Sequence, residues 1–158
     1  MATHQYLARI HWERGAAAFT DNRYSRGHTW QFDGGVQVPA SSSPHVVRVP
    51  FSVEAAVDPE EALVAALSSC HMLTFLHLAA RAGWRVDAYS DDAVGVMDKN
   101  AAGREAIVRA TLRPRVSFSG ERLPSPEEIA QLHHRAHEEC FIANSVTTDV
   151  RVEPVSDA

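Results

Sequence analysis

The sequence predicts an α+β fold. Three observations carry that expectation: a stretch from about Pro59 to Ala82 that is apolar around most of its circumference, a second helix signature opening at Ser125, and runs of alternating apolar and polar residues before, between and after the two. Strands that come in runs, with few helices among them, argue against a regularly alternating α/β layout. At 158 residues the chain is read as one domain, residues 1–158.

Taken in order, Tyr6, Ala8, Ile10 and Trp12 alternate with more polar neighbours and predict a first strand. His28 to Asp33 and Val36 to Ala40 flank Gly34-Gly35, a hairpin signal. Ser41 to Pro44 reads as a loop, and Pro50 argues against a central strand in the segment that follows. Asp58 is a natural N-cap for the long helix, with Pro59 suited to its first position, Glu61 completing a capping box and Gly83 a stop. Because apolar residues surround it, this helix is expected to be covered on more than one side. Trp84 to Tyr89, Asp92 to Met97 and Glu105 to Phe118 read as strands, with Lys99 to Gly103 as a turn. Ser125, Pro126 and Glu128 announce the second helix, to about Glu139. Thr147 to Val152 predicts a last strand, and Glu153 to Ala158 a frayed end.

Composition narrows the function classes. Fifteen Lys and Arg against 20 Asp and Glu leave a net charge of −5, which offers no basic footprint for nucleic acid or an anionic membrane. Met1 to Glu13 lacks the apolar core of a secretion signal, and the apolar stretch Ala62 to Ala82 is interrupted by Ser68, Ser69, His71, Thr74, His77 and Arg81, so no membrane span is expected there. The expected setting is cytoplasmic, where two cysteines are reactive or merely packed rather than a structural bridge.

Those cysteines carry the chemistry the sequence offers. Cys70 lies mid-helix in the polar run Ser68-Ser69-Cys70-His71, which breaks an apolar helix and suggests a turn facing a polar cavity. Cys140 follows the second helix, where the partial negative charge of a helix C-terminus disfavours a thiolate. On local grounds Cys140 is the poorer nucleophile and suits the resolving role. The plainer alternative for either is a small buried hydrophobe. A metal site is a rival reading: His133, His137 and Cys140 at i, i+4 and i+7 share a helix face, and Cys70 or His71 would complete four ligands. The usual metal-ligand spacings are absent, as are a phosphate-binding glycine loop and a serine-hydrolase elbow.

Asp58-Pro59-Glu60-Glu61-Ala62-Leu63, followed by Leu67-Ser68-Ser69-Cys70-His71-Met72, resembles the central-helix motif of the OsmC/Ohr family (osmotically inducible protein C and organic hydroperoxide resistance proteins). Ala136 to Val146, around Cys140, resembles its second-cysteine motif, and the likeness spans residues 4–153. The resemblance implies an OsmC-like fold, with antiparallel sheets wrapped around long buried central helices in an intertwined homodimer. It implies a cysteine-based peroxidase without cofactor or metal. Cys70 would attack an organic hydroperoxide, Cys140 would close a disulfide with it, and a dithiol of lipoyl type would reopen that disulfide. An arginine held by Glu60 would activate Cys70: Arg26 first, with Arg23 and Arg48 as alternatives. His71 beside the thiol and His28 near Arg26 depart from the family's pattern. A ligand-binding dimer without turnover and a redox sensor using the same cysteine pair are the competing functions.

Overall fold

The computed structural model describes residues 3–155. These form eight strands and two α-helices in two compact units, residues 1–62 and 63–158, whose boundary falls in the first turn of the long helix.

In the first unit, β1 (Ala8–His11), β2 (His28–Phe32) and β3 (Gln37–Ala40) form an antiparallel sheet in the order β1-β2-β3. The β2–β3 turn falls where the glycine pair predicts it, with Gly35 at φ +87°. The helix α1 (Pro59–Arg81) starts on the expected capping box: the Glu61 N–H donates to Asp58 Oδ1 at 2.7 Å, and Glu61 Oε2 accepts from the Asp58 N–H at 3.4 Å. A cap of this kind is worth about 1 kcal/mol.

The second unit contains two sheets. β4 (Arg85–Asp91) pairs antiparallel with β7 (Pro114–Ser119). β6 (Glu105–Leu112) pairs antiparallel with β5 (Val94–Lys99) and parallel with β8 (Asp149–Val152). The alternating run Glu105 to Phe118 is therefore two strands in two sheets rather than one. The break lies at Arg113-Pro114, where the Arg113 N–H leaves the ladder to donate to Asp91 Oδ1 at 2.6 Å, and Pro114 has no N–H to give. The helix α2 (Pro126–Glu139) opens on a complete capping box between Ser125 and Glu128.

Phe75, Leu78 and Ala79 of α1 and Leu132 and Ala136 of α2 form the buried apolar cluster, bordered by Trp84, Val86, Tyr89, Val116 and Phe118. The C-terminal segment is not frayed as far as residue 155: the Glu153 and Val155 N–H groups donate to the carbonyls of Leu112 and Pro114 at 2.8 and 2.9 Å. Residues 156–158 lie outside the described residues.

One expectation about α1 is corrected. By length and composition alone it is apolar enough to cross a membrane. Two of its polar side chains meet protein partners: Ser68 Oγ donates to Asp91, and buried His71 pairs with His133.

The packing of β5 on α1 depends on one glycine. A Cβ added to Gly95 would lie 2.6 Å from Val64 Cγ2. Gly95→Ala is expected to lower stability by about 1–3 kcal/mol, the usual cost of overpacking. Adding Val64→Ala should recover a large part of that loss, measured as the urea midpoint of the single and double variants.

Candidate functional site

The second unit brings the two cysteines together. Both are free thiols. Cys70, in the fourth turn of α1, is half-buried, whereas Cys140 is 1% exposed. Cys140 ends α2 with extended backbone angles (φ −70°, ψ 114°), and the chain then makes a short 3-10 turn at Ala143–Ser145. The terminated helix turns the Cys140 thiol toward Cys70. Burial first, and then interaction with the Cys70 side chain, push its pKa up to about 11. The Ala143 N–H, 3.4 Å from Cys140 Sγ, and the N–H of Ile142 pull the other way, since a donor aimed at sulfur favours the thiolate. At neutral pH Cys140 is thus a protonated thiol with two donors in place for its anion.

Beside the thiols lies a feature the sequence did not announce. His71 Nε2 and His133 Nδ1 are 3.1 Å apart, in rings nearly parallel (5°) with centroids 5.4 Å apart. Both residues are buried, at 1% and 3% exposure, and Phe75 stacks on His133 at 4.3 Å. Burial first, and then a neighbouring imidazole, lower the pKa of each to about 4: His137 acts on His71, and His71 on His133. Asp91 opposes the shift at His71. His71 Nδ1, His133 Nε2 and His137 Nδ1 are buried without a hydrogen-bond partner among the described residues. Burial and Asp91 hold the Tyr89 phenol far above its usual range, so it stays protonated.

The ligand set of the rival metal reading does not assemble: no three His, Cys, Asp or Glu among the described residues converge on one point. His133 turns to His71, and Cys140, lying past the helix end, turns to Cys70.

In the first unit, Arg26 and Glu60 line one cavity of about 520 Å³ with Trp12, Phe19, Tyr24 and His28. Arg23 and Arg48 are not in its lining. Arg26 lies over the Tyr24 ring at 3.8 Å and donates to the Asn22 carbonyl (3.0 Å), Asn22 Oδ1 (2.7 Å) and the Tyr24 carbonyl. Glu60 does not hold it by a hydrogen bond in this arrangement: Glu60 Oε2 is buried with no partner among the described residues. His28 is locked, with Trp30 Nε1 donating to its Nε2 at 2.9 Å and its Nδ1 then donating to the Arg26 carbonyl at 2.7 Å. Phe75 lies in the apolar core, and Phe141 is 81% exposed.

The chain is thus an α+β fold in which two free thiols meet where α2 ends against α1. Its family is defined by comparison: residues 52–155 match the model for OsmC-like proteins, and the chain belongs to that family. An OsmC-like protein of unknown function from Vibrio cholerae is 54% identical, with a TM-score of 0.95, over 97% of this chain and 100% of that one. An organic hydroperoxide resistance protein from Legionella pneumophila shares the fold at 14% identity (TM-score 0.68; 99% and 100% of the two chains). The organic hydroperoxide resistance protein OhrB of Bacillus subtilis does so at 18% (TM-score 0.64; 98% and 100%). No curated protein matches the chain.

The neutral histidines make stability depend on pH in a defined direction. In the unfolded chain each binds a proton near pH 6.5, but in the fold not until about pH 4. The unfolded state therefore binds more protons between these values. Stability is full above pH 6.5 and falls as pH drops toward 4, by on the order of 3 kcal/mol for a histidine shifted this far. Urea midpoints at pH 7.5 and 4.5 should show a smaller drop for His71→Gln with His133→Asn than for the wild type.

Proposed function

We propose that the protein is a thiol-dependent peroxidase for organic hydroperoxides, acting in the cytoplasm as a homodimer. The observation that carries this reading is the pairing of a half-buried Cys70 with a buried, protonated Cys140 as free thiols. Family membership and the hydroperoxide-resistance relatives that share the fold support it. The dimer reading is supported by α1: only 28% of its most apolar stretch is buried within one chain, and Leu73 is 61% exposed, which leaves apolar surface for a second copy to cover.

The Cys70 thiolate attacks one oxygen of the peroxide. The O–O bond breaks, and the alkoxide leaves and takes a proton to become the alcohol. Cys70 is now a sulfenic acid. Cys140 loses its proton and attacks the Cys70 sulfur. The S–O bond breaks, and hydroxide leaves as water with that proton. The resulting disulfide is reopened by an external dithiol, which leaves as its own disulfide. The N–H groups of Ala143 and Ile142 favour the Cys140 thiolate at the moment it is needed. Arg26 is the group proposed to favour the Cys70 thiolate, since a guanidinium stabilises the reactive anion, and Glu60 the group proposed to orient Arg26.

The test is consumption of cumene hydroperoxide and of hydrogen peroxide with a dihydrolipoyl reductant. Cys70→Ser should abolish turnover, and full activity in that variant would overturn the assignment. Cys140→Ser should consume about one equivalent and stop with Cys70 as a sulfenic acid; sustained cycling would remove the resolving role. Arg26→Ala should slow alkylation of Cys70 at neutral pH, and an unchanged rate would take the activating role from Arg26. Disulfide formation without turnover would favour the redox-sensor reading.

A further inference from the structure

We propose that the His71–His133 hydrogen bond is a positioning strut that holds α1 and α2 in the register at which Cys70 and Cys140 can close a disulfide. The inference rests on the Cys70–Cys140 reading and adds to it two residues that never touch a substrate.

The geometry supports the role at each step. Cys70 and His71 are consecutive on α1, and they reach to Cys140 and His133. On α2 those partners are seven positions apart, about 10 Å along a helix axis. Two polar contacts separated by two turns of one helix and less than one turn of the other constrain both sliding and rotation. The apolar cluster of Phe75, Leu78, Ala79, Leu132 and Ala136 supplies adhesion, but apolar contact is non-directional and would accept neighbouring registers. A hydrogen bond between two ring nitrogens at 3.1 Å is directional and breaks with a small displacement.

Disulfide closure needs that accuracy, because an unstrained bridge requires Cα atoms roughly 4.4–6.8 Å apart with suitably aimed Cβ vectors. The cost of the strut is visible as well. Each neutral imidazole carries one ring proton, and one of the two protons occupies the shared bond. The other proton, and one lone pair, are therefore left without partners, which matches the unpartnered His71 Nδ1 and His133 Nε2. Such groups are destabilising when buried, which argues that the pair serves something other than stability. General-base catalysis is a poor candidate, since imidazoles whose pKa lies near 4 hold a thiol proton weakly.

The experiment is the thiol–disulfide equilibrium of the full chain in defined ratios of oxidised to reduced dithiothreitol, read by alkylation and mass. Cys70 and Cys140 each lose a proton and one electron to the oxidised reagent, which becomes the dithiol. His133→Leu removes the bond, while His133→Asn keeps a polar atom near the Nδ1 position. His71→Met and His71→Gln form the same pair on the other side, where the glutamine amide reaches the Nε2 position, and they serve if His133→Leu does not fold. The expected result is a closure constant at least tenfold below wild type in the apolar variants, about 30 mV for a two-electron couple, with the amide variants within threefold of wild type. Equal closure in all folded variants overturns the strut alone. Equal losses in the amide and apolar variants overturn it too, because the bond would then not be the cause. A wild-type chain that never closes overturns the disulfide reading, and the strut with it.

Discussion

The thiol site depends on one constraint: the polar turn of α1 that carries Cys70 must find partners for Ser68 and for one ring nitrogen of His71 as it packs against β4 and α2. Ser68 and His71 interrupt an otherwise apolar helix, and in a low-dielectric seam each needs a partner. Ser68 finds Asp91, which also accepts the Arg113 N–H at the point where the chain passes from β6 to β7. His71 finds His133. The side-chain bonds that satisfy α1 thereby tie it to β4 and α2, and the apolar cluster closes around them. Gly95 belongs to the same constraint, because β5 can approach Val64 only without a Cβ.

The seam also divides labour between the cysteines. Burial favours the protonated form of a thiol, so in the proposed peroxidase cycle the deeper cysteine is the resolving thiol and the shallower one meets the peroxide. Cys140 is the deeper, held in reserve by burial and by Cys70, with main-chain N–H groups aimed at the sulfur to ease its ionisation. In that proposed cycle, a resolving thiol that is mostly protonated leaves the first oxidation step to Cys70. It also makes resolution sensitive to anything that shifts the balance between burial and those donors. The chain after Glu139 sets that balance, because the 3-10 turn at Ala143–Ser145 brings the Ala143 N–H back to the sulfur.

Local signals in the sequence were strong enough to place both helices. The capping boxes at Asp58 and Ser125 depend on residues three positions apart, and both formed as read. The Gly34-Gly35 hairpin is local in the same way. What escaped was non-local. The run Glu105 to Phe118 alternates smoothly, and only Asp91, far away in the chain, shows why it divides at Arg113. The C-terminal segment reads as polar and loose, yet its N–H groups meet carbonyls of Leu112 and Pro114 that no local pattern reveals. The polarity of the Ser68 to His71 turn was legible, but its partner was not, since His133 lies 62 residues away.

The rival metal reading fails for a related reason. It treated His133, His137 and Cys140 as one helix face, which holds only while the helix continues. The helix ends at Glu139, and the extended angles of Cys140 carry its thiol off that face. What remains is a pair of like-with-like contacts, thiol to thiol and imidazole to imidazole, made by consecutive residues of one helix. Consecutive residues on a helix point about 100° apart, so the two contacts cannot be made by a single flat face of α2. They need α2 to present His133 from within the helix and Cys140 from beyond its end. Ending the helix at Glu139 therefore does two things at once. It removes Cys140 from a set that could have ligated a metal, and it frees the thiol to meet Cys70 while the histidines stay paired.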